Sequence, residues 1–358
     1  MLKTSADLDA EILQIISKGY DYCLSDDVFN HLALDLFNYQ YTHNLYYQKY
    51  CELLGRKPSD ISRWQDIPAI PTDAFKEDCL SCFPSENAVK VFHTSGTTQQ
   101  LSGKHYLDTL VLYEASLEGN FKQHLFPDLE RIKILSLTPS PIESPHSSLV
   151  FMIDKIMRKY GTDGSGYFLN NNQLDIQNFL KACISDEPIL VVGTAFSFVH
   201  LIDFCTESNI SCFLPSQSRI METGGFKGRS REVGKADLYQ SMSVLFDISP
   251  ERIINEYGMT ELGTQFYDNS LIKRHDSSYK DIPSWARIVI WDPEHQTPIT
   301  SENNPGLIRI YDLSNRGSVI AIQTQDIGYK VSRGFEVIGR MGKAIPRGCS
   351  LDTDDRLS

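Results

Sequence analysis

The stretch Val89-Lys90-Val91-Phe92-His93-Thr94-Ser95-Gly96-Thr97-Thr98 joins a β-branched and aromatic run to four hydroxyls clustered about one glycine. Its first half, Val89 to His93, reads as a short strand, and its second half as the loop that the strand delivers. Side-chain O–H donors and backbone N–H groups in such a loop converge on an anion, which is the chemistry of a phosphate cradle. Thr94, Ser95, Thr97 and Thr98 supply the hydroxyls, and Gly96 lets backbone approach closely. Read alone, the run is equally compatible with a plain Ser/Thr/Gly loop.

Farther along, Glu256-Tyr257-Gly258-Met259-Thr260-Glu261 offers an aromatic face, a hydroxyl and a carboxylate. Tyr257 suits stacking on a base, Thr260 bonding to phosphate, and Glu261 holding Mg²⁺. A buried tyrosine and a solvated glutamate are the plain alternatives. A third turn, Thr223-Gly224-Gly225, follows the short segment Ser218 to Glu222.

Short apolar segments at Ile132 to Leu137 and Ile189 to Val192 read as strands covered on both faces. Helical patterns alternate with them at Asp108 to Gln123, Ser147 to Tyr160 and Leu174 to Ser185. That alternation predicts an α/β fold with a parallel sheet, whose strand ends carry the motifs. Residues 1–85 read as a helical wrapping segment, with helices over 6–17 and 26–53, the latter starting at Ser25 and Asp26. Pro68, Pro71 and Pro84 interrupt regular structure after them. From Ile288 onward the pattern turns to β segments separated by turns such as Asn303-Asn304-Pro305-Gly306.

The 358 residues, 41% hydrophobic and 22% charged, predict a well-cored globular chain, one large domain with a short tail. A formal net charge of −12 argues against nucleic acid or an anionic membrane as bulk partner. No apolar run approaches the roughly 20 residues of a membrane span. Eight irregularly spaced cysteines without a signal peptide point to reduced thiols and a cytoplasmic protein. Cys79 and Cys82 have the spacing of a redox or zinc pair but lack a second pair, so packing is the simpler reading. No Gly-x-Ser-x-Gly elbow supports a serine hydrolase.

The loop and the Tyr-Gly-Met-Thr-Glu run together resemble the adenylate-forming superfamily of acyl-CoA synthetases, luciferases and nonribosomal adenylation domains. Four further segments are Phe37-Asn38-Tyr39-Gln40-Tyr41-Thr42-His43-Asn44, Trp64-Gln65-Asp66-Ile67-Pro68-Ala69-Ile70-Pro71, Ala74-Phe75-Lys76 and Arg347-Gly348-Cys349-Ser350-Leu351. These resemble the acyl-protein synthetases of bacterial luminescence, also called long-chain-fatty-acid–luciferin-component ligases. The resemblance implies a large multilayer α/β domain over residues 1–338, with mostly parallel sheets and a small β-barrel at 288–338. It also implies a short tail at 339–358 in place of the full mobile C-terminal domain.

The same resemblance implies ATP-dependent activation of a carboxylic acid, a fatty acid above all, as an acyl-adenylate. Thr94, Ser95, Gly96, Thr97 and Thr98 then face the ATP phosphates, Gly224 and Gly225 lie against carboxylate and adenine, and Tyr257 grips the base. Thr260 is catalytic, Glu261 holds Mg²⁺, Asp326 bonds the ribose hydroxyls, and Arg340 contacts nucleoside or phosphate. His146 falls among substrate-pocket residues, orienting the carboxylate or gating an acyl tunnel; capping the helix beside Ser147 is its alternative. Relatives often have glycine after the second threonine, whereas this chain has Gln99, with Gly103-Lys104-His105 following, so the loop is expected to be anchored differently. Cys349 matches a cysteine that takes up the acyl group, and nearby Arg347 favours its thiolate. Implied partners are an acyl reductase, a carrier protein or an acyltransferase. A stand-alone acyl- or aryl-CoA ligase and a non-catalytic nucleotide-binding subunit are the competing readings.

Overall fold

The structure is a computed structural model that describes residues 2–77, 79–94, 102–224, 234–272, 279–332 and 334–341. Its N-terminal helices start where local chemistry directs. Thr4 and Asp7 form a capping box at Ser5–Ile16, and the Ser25 hydroxyl caps Asp26–His43. The single helix expected over 26–53 is instead two, Asp26–His43 and Leu45–Leu53, divided at Asn44. Asn44 Oδ1 accepts the Tyr47 N–H at 3.0 Å, while its Nδ2 donates to the Ser318 carbonyl at 3.3 Å. A buried amide thus caps one helix and ties it to a distant loop, a tertiary demand that helical periodicity does not register.

The central sheet has the spatial order Phe266–Tyr267, Ile253–Tyr257, Arg219–Thr223, Ile189–Thr194, Lys133–Ser136, Gly166–Tyr167. All pairings are parallel except that of Phe266–Tyr267. Ile189 and Val191 face a core with Phe198, Leu201, Met242 and Phe246, whereas Leu190 and Val192 face one with Leu117, Phe121, Met152 and Ile156. Helices on both faces explain why the strand is a continuous apolar run, each such side chain contributing roughly 1.5–3 kcal/mol by burial.

The expectation of mostly parallel pairing holds for this sheet. A second sheet runs Lys280–Asp281, Gly334–Arg340, Ala321–Val331, Gly306–Asp312, Ala286–Asp292, Thr297–Ile299, with antiparallel neighbours throughout that order. It is an open sheet and not the closed barrel expected at 288–338, because its edges are strands of only two and three residues that do not pair with each other. Ile70–Pro71, which the prolines had suggested was irregular, joins it by parallel pairing with Ala321–Val331. Leu8, Phe29, Leu36 and Phe37 of the wrapping helices share a core with Ile310 and Ile322 of this sheet. Arg316 fastens them further, with Nε 2.7 Å from Asp9 Oδ1 and Nη1 2.8 Å from Asp108 Oδ2.

Lys90–His93, the strand read as delivering the hydroxyl loop, lies outside the central sheet and pairs antiparallel with Lys104–Leu107 as a separate two-stranded hairpin. Among the described residues no helix is long and apolar enough to cross a membrane.

Candidate functional site

Arg219–Thr223 and Ile253–Tyr257 are neighbours in the parallel sheet, with Asn255 beside Glu222 and Glu256 beside Thr223. Just past the first strand, Gly224 adopts φ +79°, a conformation that favours glycine, and open space lies where a Cβ would project. Just past the second, a Cβ on Gly258 would meet Glu256 Oε1, so the backbone there passes directly over a carboxylate.

That carboxylate is buried, and its Oε2 accepts the Thr223 hydroxyl. Burial raises the Glu256 pKa to about 7, opposed by the Thr223 bond and Lys280 and reinforced by Glu222. Glu222 lies on the opposite face of the sheet, accepting Asn255 Nδ2 at 2.7 Å and Tyr239 Oη at 3.4 Å. Its pKa is also raised to about 7 by burial, with Asn255 and Lys235 opposing. Sequence reasoning passed over both glutamates. Their signal was a carboxylate just after an apolar pair near a strand end, Ile220-Met221-Glu222 and Ile253-Ile254-Asn255-Glu256.

Tyr257, Asp326 and Arg340, far apart in the chain, come together. Tyr257 Oη donates to Asp326 Oδ2 at 2.8 Å, and its ring meets Phe335 edge-on at 5.7 Å. Burial, then the adjacent Asp326 carboxylate, pushes the phenol well above its ordinary range. Asp326 and Arg340 are cross-strand partners, with Arg340 Nε 3.9 Å from Asp326 Oδ1. Arg340 Nη2 also donates to Gln325 Oε1 at 3.2 Å, and Gln325 Nε2 donates to Asp73 Oδ2 at 2.5 Å. An aromatic ring beside a carboxyl acceptor and a guanidinium suits a polyhydroxylated, anionic ligand.

The hairpin supplies a second group. Thr94 and Gly103 close its neck, the Gly103 N–H donating to Thr94 Oγ1 at 2.8 Å and the Thr94 N–H to the Gly103 carbonyl at 2.9 Å. Thr94 therefore acts at the base of the loop through its own hydroxyl. Thr260 Oγ1 donates to the His93 carbonyl at 3.4 Å and lies 3.3 Å from Ser148 Oγ. The His146 ring stacks on His93 at 4.2 Å with 6° between planes, and its Nδ1 lies 3.2 Å from the Val91 carbonyl. Burial, with His146 and Lys104 nearby, lowers the His93 pKa. Helix capping belongs to Ser147, whose hydroxyl accepts the Val150 N–H at 3.2 Å, and His146 is left exposed beside the hairpin.

Glu261 is buried, and its carbonyl accepts Asn315 Nδ2 at 2.9 Å. Among the described residues no group of three or more His, Cys, Asp or Glu is placed to hold a metal by itself. A single carboxylate is compatible with Mg²⁺, which is commonly bound through one or two carboxylates together with substrate phosphates. Cys79 and Cys82 are packing thiols: burial raises both pKa values, and Cys82 Sγ donates to the Ser318 carbonyl. Ser95, Gly96, Thr97, Thr98, Gly225 and Cys349 lie outside the described residues.

A family model described as acyl-protein synthetase, LuxE, matches residues 2–358. The long-chain-fatty-acid–luciferin-component ligase of Vibrio harveyi is 21% identical over 343 residues, spanning 89% of this chain and 85% of that protein. Among solved structures, an open conformation of 2-hydroxyisobutyryl-CoA ligase in complex with 2-HIB-AMP and CoA is similar with a TM-score of 0.65. Its identity is 11%, with 89% of this chain and 76% of that one covered. ATP-bound MatB from Rhodopseudomonas palustris has a TM-score of 0.50 at 13% identity, covering 72% of this chain and 49% of that one. These likenesses make the fold that of adenylate-forming enzymes.

Proposed function

The chain belongs to the acyl-protein synthetase family LuxE and is a ligase, and from that premise we propose that it activates a carboxylic acid, a fatty acid above all, with ATP. The acid's carboxylate oxygen attacks the α-phosphorus, the bond to pyrophosphate breaks, and acyl-adenylate remains. The Cys349 thiolate then attacks the acyl carbonyl, AMP leaves with the bonding electrons, and a thioester forms for delivery to a partner protein or acceptor.

The observation that carries this reading is the convergence of Tyr257, Asp326 and Arg340 at one strand-end site, with Tyr257 Oη bonded to Asp326. Asp326 accepts ribose hydroxyls, Tyr257 and Gly224 line the base, and Arg340 balances phosphate charge. The hydroxyl loop from Thr94 to Thr98 receives the outer phosphates, with Thr260 beside its root. His146, held against His93, orients the carboxylate. Mg²⁺ held by Glu261 would neutralise charge on the phosphate oxygens. In this reading the enzyme works in the cytoplasm, and an acyl reductase, carrier protein or acyltransferase receives the acyl group.

Intact-protein mass spectrometry tests the route. Wild type and Cys349→Ala are incubated with ATP, Mg²⁺ and acids from acetate to tetradecanoate. A hydroxylamine-labile acyl adduct is expected on wild type alone. Unmodified wild type that still releases AMP and pyrophosphate would remove Cys349 as acceptor.

A further inference from the structure

His105 closes the Gly103-Lys104-His105 run and was given no role of its own above, yet it is fully buried where the hairpin meets the Tyr-Gly-Met-Thr-Glu segment. It stands opposite Phe92 in the hairpin register, two residues beyond the Gly103 that closes the loop neck. Its ring packs edge-on against Phe75, centroids 6.0 Å apart. Nδ1 lies 2.7 Å from the Thr260 carbonyl. A carbonyl only accepts, so Nδ1 carries the proton. The next carbonyl, that of Glu261, is held by Asn315 Nδ2, which also donates to the Val319 carbonyl at 2.9 Å. Two buried side chains therefore grip two consecutive carbonyls from different parts of the fold.

We propose that His105 is a positioning residue for the adenylation step: its Nδ1–H fixes the Thr260 carbonyl, and so holds the Thr260–Glu261 backbone in register with the hairpin that carries the hydroxyl loop. This rests on the functional reading above, in which the loop and the Thr260–Glu261 segment act on the same triphosphate. The two motifs adjoin different sheets, and among the described residues the His105 bond and the Thr260 hydroxyl on the His93 carbonyl join them. Without the first, Thr260 and Glu261 keep their chemistry but lose their fixed distance from the loop. Misplacement of reacting groups by about 1 Å is enough to cost about 100-fold in rate.

The bond also defines which state of the ring is needed. Asn315 Nδ2 is committed to two carbonyls, so its Oδ1 is fixed as an acceptor on a side chain adjoining the ring. Burial lowers the His105 pKa, while Thr260 and Asn315 oppose that effect. The neutral Nδ1–H tautomer is thus the working form, and Nε2 takes no part in holding the carbonyl.

Isosteric substitution separates positioning from packing. Asparagine places an amide N–H near the position of Nδ1, glutamine places one near Nε2, and leucine fills the site with no donor. ATP–pyrophosphate exchange with the acid that wild type accepts is measured for His105→Asn, His105→Gln and His105→Leu, alongside thermal melting. His105→Asn is expected to stay within about threefold of wild type, and the other two to fall by at least about 30-fold in kcat. KM for the acid is expected to change less than kcat, since pocket contacts are untouched. His105→Leu exchanging like wild type overturns the proposal, as does a loss that follows melting temperature equally in all three variants. Wild type without exchange on any acid overturns the adenylation reading itself, and the role of His105 with it.

Discussion

In the parallel sheet, Arg219–Thr223 is buried at every position and Ile253–Tyr257 at three of five, whereas Ala286–Asp292 of the antiparallel sheet alternates buried and half-buried residues. The first sheet lies between two layers of helices and so brings its strand ends forward as fixed backbone, with Glu222 and Glu256 hidden beside them. The second offers side chains: Asp326 retains 22% of its side-chain exposure and Arg340 54%. A nucleotide lying between them would meet preformed backbone on one side and solvated charge on the other. Substitutions in the antiparallel sheet should then be felt in ligand affinity, and those in the parallel sheet in stability and its dependence on pH.

The hardest test of that division is Asp326→Ala. It removes the acceptor of Tyr257 Oη and, in the proposed function, the grip on ribose. Hydrogen bonds to a charged group contribute about 1.5–3 kcal/mol, so KM for ATP is expected to rise about 30-fold. Melting temperature should change little, because the carboxylate is partly solvated. Pyrophosphate exchange at varied ATP, with a melt of the same sample, reads both. A large loss of stability without a change in KM would break the comparison.

Glu256→Gln probes the other sheet. The folded-state pKa of Glu256 is raised to about 7 by burial, above its unfolded value, so the native protein holds a proton that the unfolded chain has released. The stability it contributes is complete below the unfolded pKa and is lost as pH rises through about 7. Wild-type melting temperature should therefore decline between pH 5 and 8. Glutamine keeps an acceptor for the Thr223 hydroxyl and cannot ionise, so the variant should decline less. The difference at pH 8 is expected to be on the order of 1–2 kcal/mol in favour of glutamine. Glu222, raised to about 7 on the opposite face, leaves a residual slope that Glu222→Gln should remove. Parallel pH curves for wild type and Glu256→Gln would show the carboxylate to be ionised throughout.

The same contrast explains what the sequence made legible. Continuous apolar runs such as Ile189 to Val192 fixed the parallel sheet, because a strand covered on both faces has no room for polar alternation. The β character of Gly306 to Tyr311 was equally plain, but an open sheet and a closed barrel share one alternation, since closure depends on whether edge strands meet. The hairpin was half legible for a related reason: Val89 to His93 reads as β by composition and is a strand, but its pairing with Lys104–Leu107 depends on a partner beyond the loop. Tyr257, Asp326 and Arg340 were legible as motif residues; register pairs Asp326 with Arg340, whereas Tyr257 reaches Asp326 from the other sheet through its hydroxyl. Glu256, His105 and Asn315 were not, because each acts through a buried contact with residues remote in sequence. A lone glutamate, histidine or asparagine carries no periodic signal.

The smallest expected effect is at Arg340, and it sharpens the comparison from the solvated end. Its guanidinium is more than half exposed and approaches Asp326 only to 3.9 Å, so the pair is screened and weak in the absence of a ligand. Arg340→Gln should therefore leave the melting temperature unchanged. In the proposed function Arg340 balances phosphate charge from the edge of the site, where water competes for every bond. KM for ATP is then expected to rise only about two- to threefold, and the difference from wild type to shrink in added salt, because salt screens attraction between solvent-exposed charges. Measuring exchange at low and high salt separates the outcomes. A rise of tenfold or more that persists in salt would mean that the nucleotide buries Arg340 on binding, making the antiparallel sheet a closing wall and not a solvated rim. A KM equal to wild type at low salt would place the arginine outside the site, leaving Asp326 as that sheet's contribution, opposite Tyr257 of the parallel sheet.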